Sequence, residues 1–198
     1  MPKPPASPQP APTIAAPHPL TVRLIERLAP PALVLDFASG SGRNTAALNQ
    51  AGFTVVALDD RTAATPVPFA GITGRFAAAL STHGLLHGNV AAVAQRVTDI
   101  AALLEKNGLL YATFGSVRDA RFGVGERLDE FTFAPSEGDE RGVPHAFFDR
   151  ERLAELLEQD YAIESLEEHA VDEVVGSWAH RQAPLAGAAH WFAIAKVR

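Results

Sequence analysis

Val34-Leu35-Asp36-Phe37-Ala38-Ser39-Gly40-Ser41-Gly42-Arg43-Asn44 is the stretch on which the fold turns. An apolar run from Leu33 to Phe37 carries Asp36 near its end and breaks into five small residues, Ala38 to Gly42. Helical spacing follows from Arg43 to Ala51, with Gly52 in the place of a C-terminal cap. Phe53 to Leu58 is a second, β-branched run that stops at Asp59-Asp60, 23 residues beyond Asp36. This is a strand–helix–strand unit, the building block of a parallel sheet. Small residues in its first turn let backbone approach a ligand closely and expose the helix N-terminus. A carboxylate at the end of the second strand suits the two hydroxyls of a ribose.

The same alternation extends in both directions. Thr21 to Leu28 has helical spacing and stops at Pro30-Pro31. Downstream, Phe76 to Thr82 reads as a strand, and Asn89 caps a helix from Val90 to about Lys106 that Asn107-Gly108 ends. Leu109 to Phe114 is a further strand. Ser116 to Phe148, with seven acidic residues and four arginines, reads as a long irregular loop. Asp149 caps a helix through Gln159, and Tyr161 to Leu166 and His190 to Val197 close the pattern as strands. The expected fold is a doubly wound α/β protein with a mostly parallel sheet flanked by helices. Its ligands would bind outside the carboxyl ends of the strands.

Composition narrows the function classes. The 198 residues carry a formal charge of −6, a poor match for nucleic acid or an anionic membrane. Cysteine is absent, which excludes disulfides, thiolate metal sites and a cysteine nucleophile, and suits a cytoplasmic location. No apolar run approaches the roughly 18 residues of a membrane span. Eight of the 15 prolines fall in the first 19 residues, which lack the basic and apolar regions of a secretion signal. Residues 1–19 are therefore expected to be a disordered, proline-rich lead-in, and residues 20–198 the domain.

Two cofactor readings compete for the glycine turn. A dinucleotide fingerprint counted from Gly40 needs Gly or Ala three residues beyond Gly42, where Thr45 stands. S-adenosylmethionine is the alternative, its cationic amino-acid moiety suiting Asp36. The stretch VLDFASGSGRNTAALNQAGFTVVALDD in fact resembles motif I through the second strand of class I S-adenosylmethionine-dependent methyltransferases. Its Gly42-Arg43-Asn44 ending is similar to the small-molecule, tellurite-resistance-type branch. The likeness continues in LSTHGLLHG (Leu80–Gly88), GLLYATFGS (Gly108–Ser116), GVPHAFFDRERLAELL and the terminal HWFAIAK. The resemblance implies a methyltransferase-type Rossmann-like fold with S-adenosylmethionine as cofactor. It implies Asp36 at the cofactor amino group, Gly40 and Gly42 along the methionine moiety and Asp59 at the ribose. Ala38, at a position commonly glycine, and Ser39, Ser81 and Thr82 complete the expected cofactor set.

The chain departs from this family after its second strand. Members insert a helix and a third strand there, whereas only the 15 residues Arg61 to Arg75 join Asp60 to Phe76. The third strand and its helix are expected to be missing or vestigial.

His83 is the candidate base on the acceptor side, because histidine titrates near neutrality. His83 and His87 are four residues apart, but Gly84 and Gly88 weaken a helix there and no carboxylate is close in sequence, so no metal site is expected. Arg118, Arg121, Arg127, Arg141 and His145 lie in the long loop, where the arginines could clamp an anionic acceptor or pair with their acidic neighbours. The expected function is methyl transfer to a small-molecule acceptor, without nucleic-acid or membrane partners and with a homodimer as a possible assembly. The alternative is a degenerate member that binds without turnover; a nicotinamide oxidoreductase ranks third.

Overall fold

The computed structural model describes residues 16–58, 69, 72, 74–138, 140–171 and 187–198. Its elements run in order α1 (Pro19–Arg27), β1 (Leu33–Phe37), α2 (Arg43–Gln50), β2 (Thr54–Leu58), β3 (Phe76–Ser81), α3 (Val90–Leu103) and β4 (Leu104–Ser116). Three short strands follow, β5 (Glu126–Arg127), β6 (Thr132–Ala134) and β7 (His145–Phe148), then α4 (Arg150–Leu157), β8 (Tyr161–Ala170) and β9 (Ala189–Val197).

The main sheet runs β2-β1-β3-β4 in parallel and continues through the antiparallel β9 to β8. The doubly wound, mostly parallel architecture read from the sequence is thus the observed one, with an antiparallel far edge. Side chains alternate between two cores, as the two-residue period of a strand requires. Leu35, Ala79, Leu110 and Ala112 share one core with Val93, Val97 and Ile100 of α3 and Leu153 of α4. Val34, Ala78, Leu80, Leu109 and Tyr111 share the other with Leu20 and Leu24 of α1 and Leu48 of α2. Helices α2 and α3 therefore cross on opposite faces, which makes the gap between the β1 and β3 ends the topological switch point.

The caps account for the helix starts. His18 Nδ1 accepts from Leu20 N at 3.1 Å to open α1, Asn89 Oδ1 from Ala92 N at 2.9 Å to open α3, and Asp149 Oδ1 from Arg152 N at 2.8 Å to open α4. Gly52, at φ 91°, ends the turn after α2.

Several boundaries differ from the sequence reading. Helix α1 starts at Pro19, capped by the buried His18, so the first helix begins inside the expected lead-in. Strand β8 runs on to Ala170 because it stays paired with β9. The helix expected to reach Lys106 stops at Leu103, because Leu104 pairs with Phe76 and starts β4 early through a register shift. The segment expected to be a loop, Ser116 to Phe148, carries β5–β7. There β7 pairs parallel with β4 at Gly115 and Ser116 and antiparallel with β6. Phe122, Phe133 and Phe147 cluster beneath it, with Phe122–Phe133 and Phe122–Phe147 centroids 5.2 and 5.6 Å apart. Aromatics dispersed among acidic residues supply that core without any periodic signal. Most of the Asp60–Phe76 link lies outside the described residues; among these, β2 pairs with β1 alone.

Candidate functional site

The carboxyl ends of β1 and β3 meet in an unusual backbone. Ala38, Gly40 and Gly42 have φ of 59, 53 and 76°, and His83, just past β3, has φ 74°. Glycine takes such values freely, but Ala38 and His83 are held there at a cost of about 1–2 kcal/mol each. Ser39 N donates to Leu58 O at 2.9 Å and Gly42 N to Ser39 O at 2.9 Å, so the turn is tied to the end of β2. A Cβ built at Gly40 or Gly42 meets nothing within 4 Å, so open space lies beside the turn at both. Gly84 is the opposite case: a Cβ there would stand 2.4 Å from Ala38 Cβ and 2.8 Å from Ser81 Oγ. Only glycine lets the 3-10 turn Gly84–Leu86 lie against the two strand ends.

Asp36 is buried and accepts from Thr45 Oγ1 at 2.5 Å. Burial raises its pKa, and the Thr45 bonds and the Arg43 charge only partly offset this. Arg43, buried at the start of α2, has its pKa lowered to about 10 by burial against the opposing pull of Asp36. Asn44 stitches three segments together: its Oδ1 accepts from His18 N and Thr21 Oγ1, both at 3.0 Å, and its Nδ2 donates to Thr82 Oγ1 at 2.8 Å. Of the remaining expected residues, Ser81 is fully buried, with no hydrogen-bond partner for its hydroxyl among the described residues. Asp59 lies outside the described residues.

His83 belongs to a group of three imidazoles. Its ring lies 4.8 Å from that of His190 and 6.3 Å from that of His18, both nearly edge-on. Burial, reinforced by His190, His18, His87 and Arg43, holds the His83 pKa well below its ordinary value. His18 is lowered to about 3 by burial and then by Arg43, His190 and His169. His190 Nε2 lies 3.1 Å from Arg121 Nη2, a group that can only donate, and 3.7 Å from Asp119 Oδ2. Burial thus keeps the His18 and His83 rings neutral near pH 7. In this arrangement His83 is a weak base, better suited to contact and orientation than to proton removal.

Beyond His190 the chemistry becomes ionic. Asp119 holds Arg121 through Oδ1 to Nε at 2.8 Å and Oδ2 to Nη2 at 2.9 Å, and also accepts from Ala189 N. Burial pushes the Asp119 pKa up, but the Arg121 bonds outweigh it and the net shift is down. Arg121 also stands 3.7 Å from Glu140, whose carboxylate faces both His145 and His87. Glu140 is likewise lowered overall, its burial outweighed by those two histidines. The sequence reading singled out Arg121 and His145 but not Asp119 or Glu140, since the partners of these acids are defined by the tertiary fold. His18, Arg43 and Asn44 were missed as site residues for the same reason. Arg118 instead pairs with Glu168 at 3.1 Å, with its own side chain 79% exposed.

No family model matches the chain, and no curated protein matches it. Solved structures do. The 1,6-didemethyltoxoflavin-N1-methyltransferase of Burkholderia thailandensis, solved with 1,6-didemethyltoxoflavin and S-adenosylhomocysteine, is 22% identical with a TM-score of 0.63. That alignment covers 90% of this chain and 76% of that one. A SAM-dependent methyltransferase from Methanosarcina mazei is 15% identical with a TM-score of 0.63, covering 92% and 98%. The magnesium protoporphyrin IX methyltransferase of Synechocystis, solved with bound SAM, is 12% identical with a TM-score of 0.57, covering 90% and 76%. At such identities the likeness is one of architecture. The chain has the α/β fold of these S-adenosylmethionine-dependent methyltransferases.

Proposed function

We propose that the chain binds S-adenosylmethionine at the carboxyl ends of β1, β2 and β3 and methylates a small-molecule acceptor. The observation that carries this reading is the left-handed backbone at Ala38, Gly40, Gly42 and His83, concentrated at the switch point of a methyltransferase-type sheet. Strain of this kind persists where a site requires it. The neighbours from Burkholderia thailandensis and Synechocystis, solved with S-adenosylhomocysteine or SAM, support the cofactor. The residues fit it: open space beside Gly40 and Gly42 leaves room for the amino-acid moiety, and the buried Asp36 carboxylate suits its ammonium group. Asp59 is assigned to the ribose, with Ser39, Ser81 and Thr82 along the cofactor. The short Arg61–Arg75 link supports a trimmed adenine side, and Gly42-Arg43-Asn44 supports the small-molecule, tellurite-resistance-type branch.

The bound cofactor supplies an electrophilic methyl group on a sulfonium. The protein's task is to hold an acceptor in line with it, and such positioning alone accounts for most of the rate. The rings of His18, His83 and His190 would line the acceptor side, with burial keeping His18 and His83 uncharged there. An acceptor that is already anionic needs no base, which accords with the lowered His83 pKa.

Titration calorimetry with S-adenosylmethionine and S-adenosylhomocysteine tests the reading. Both are expected to bind, with binding abolished in Asp59→Ala. Absence of binding at millimolar cofactor overturns it. Turnover against a panel of small acceptors then separates an enzyme from a non-catalytic binder.

A further inference from the structure

His145 is buried, and both of its ring nitrogens face acceptors. Nδ1 lies 2.8 Å from the carbonyl oxygen of Val143, and Nε2 lies 3.1 Å from Glu140 Oε2. A neutral imidazole has one N–H and cannot donate to both. With the Nδ1 proton on the carbonyl, Nε2 offers a lone pair to a carboxylate, which needs a cation between them. A second ring proton or a metal ion would meet that need.

The surroundings favour the metal. His87 brings its Nε2 to 3.4 Å from the other carboxylate oxygen, Oε1, and its ring stands 5.0 Å from that of His145 at 84°. The three ligand atoms lie within 4.8 Å of one another. A tetrahedral zinc ion with bonds of about 2.0–2.2 Å needs its ligands roughly 3.4 Å apart. The two His–Glu spacings, one to each carboxylate oxygen, are 3.4 and 3.1 Å, and the set as a whole would have to close from its 4.8 Å spread around the ion. The Val143 carbonyl accepts from Nδ1–H, the outer contact that fixes a histidine in the tautomer whose Nε2 is free to ligate. Arg121 is chelated by Asp119 and stands 3.7 Å from Glu140, so it offsets only part of that carboxylate's charge. Backbone pairing holds the trio: His87 bridges His145, and Gly88 N donates to Pro144 O at 2.8 Å. Arg96 Nη1 donates to His87 O at 2.5 Å and secures the loop. The side chains of His87 and Glu140 are 25 and 32% exposed, so one flank of the site reaches solvent.

We propose that His87, Glu140 and His145 form a binding site for a divalent transition-metal ion of the zinc type, with a coordination position open to water or to an oxygen or nitrogen ligand. Three protein ligands from two histidines and a glutamate, with one position open, form a recurrent donor set for zinc. The site stands past the ends of β3 and β4, beyond the imidazole group, and rests on its own residues rather than on the methyl-transfer reading.

The full chain, stripped with chelator, is titrated with zinc chloride by calorimetry and with cobalt chloride by visible absorption. One ion per chain is expected, with cobalt bands of a four- or five-coordinate site and a zinc-dependent rise in Tm. Glu140→Gln and His87→Gln, both at partly exposed positions, should weaken uptake by at least about tenfold and remove the Tm rise. His169→Gln, altering a half-buried histidine elsewhere, should bind as the parent does. Failure of the folded parent to take up either ion overturns the proposal. Uptake unchanged in both site variants overturns it equally. No cofactor enters the titration, so its outcome is separate from that of the methyl-transfer test.

Discussion

Two polar regions lie side by side above the sheet and are held by different physics. Around Ala38, Gly40, Gly42, Gly84 and His83, the arrangement depends on backbone conformation and on neutral groups. Around Asp119, Arg121, Glu140, His145 and His87 it depends on charge, with each ion held by its neighbour. His190 joins them, ringed with His83 on one side and bonded to Arg121 on the other. The first region carries the buried Asp36 and Arg43 as its charged groups, whereas the second is built almost wholly from ionisable side chains.

The comparison breaks most readily at Asp119. Its side chain is fully buried, and removing it strands Arg121 without its counter-charge. Asp119→Ala should cost about 3–5 kcal/mol, read as a fall in the urea midpoint. A loss below about 1 kcal/mol would mean that Arg121 is satisfied elsewhere and that the ionic region is looser than its geometry suggests.

Acid should separate the two regions. His18 has its pKa lowered from 6.5 to about 3, so between those values the unfolded chain takes up a proton that the folded chain refuses. Stability is therefore expected to fall as pH drops below about 6.5, with a slope approaching 1.4 kcal/mol per unit. Arg43, His190 and His169 face His18 and add to this sense rather than oppose it, and the His83 ring stands 6.3 Å away. Asp119, lowered from 3.8, contributes stability that is complete above that value and lost only as pH falls through its folded pKa. Urea midpoints measured from about pH 7 to about pH 4 should decline in the parent and decline less in His18→Gln. Equal slopes in the two proteins would refute the neutral-histidine reading.

The smallest effects distinguish crowding from conformation within the cleft. Gly84→Ala drives a methyl into Ala38 and Ser81 and should cost about 1–3 kcal/mol. Gly40→Ala meets no atoms and should cost only about 1 kcal/mol, from its left-handed φ. Reversal of that order, by thermal melting, would show that the turn rather than the packing limits the site.

The first region was largely legible in advance. Asp36, the glycine turn and the strand on either side are local features, and their meaning comes from spacing along the chain. His83 was readable as a candidate, but its neutrality was not, because burial beside His18 and His190 joins residues more than a hundred positions apart. The second region was almost illegible. Arg121 and His145 stood out as residue types, yet Glu140 looked like one acid among seven in a charged loop. The absence of a nearby carboxylate argued against a metal at His87; the fold brings one from 53 positions away.

What the sequence determined by itself is the order of strands and helices outside residues 116–148, the turn after β1 and the caps at Asn89 and Asp149, because each is set within a few residues by periodicity and backbone preference. Tertiary structure alone decided which polar groups share a site. Pairing β7 with β4 carries the inserted segment to the sheet's carboxyl edge, where its charges are buried beside histidines from β9 and the loop after β3. Burial and proximity set the charge state of those groups, and neither quantity exists until the chain has folded.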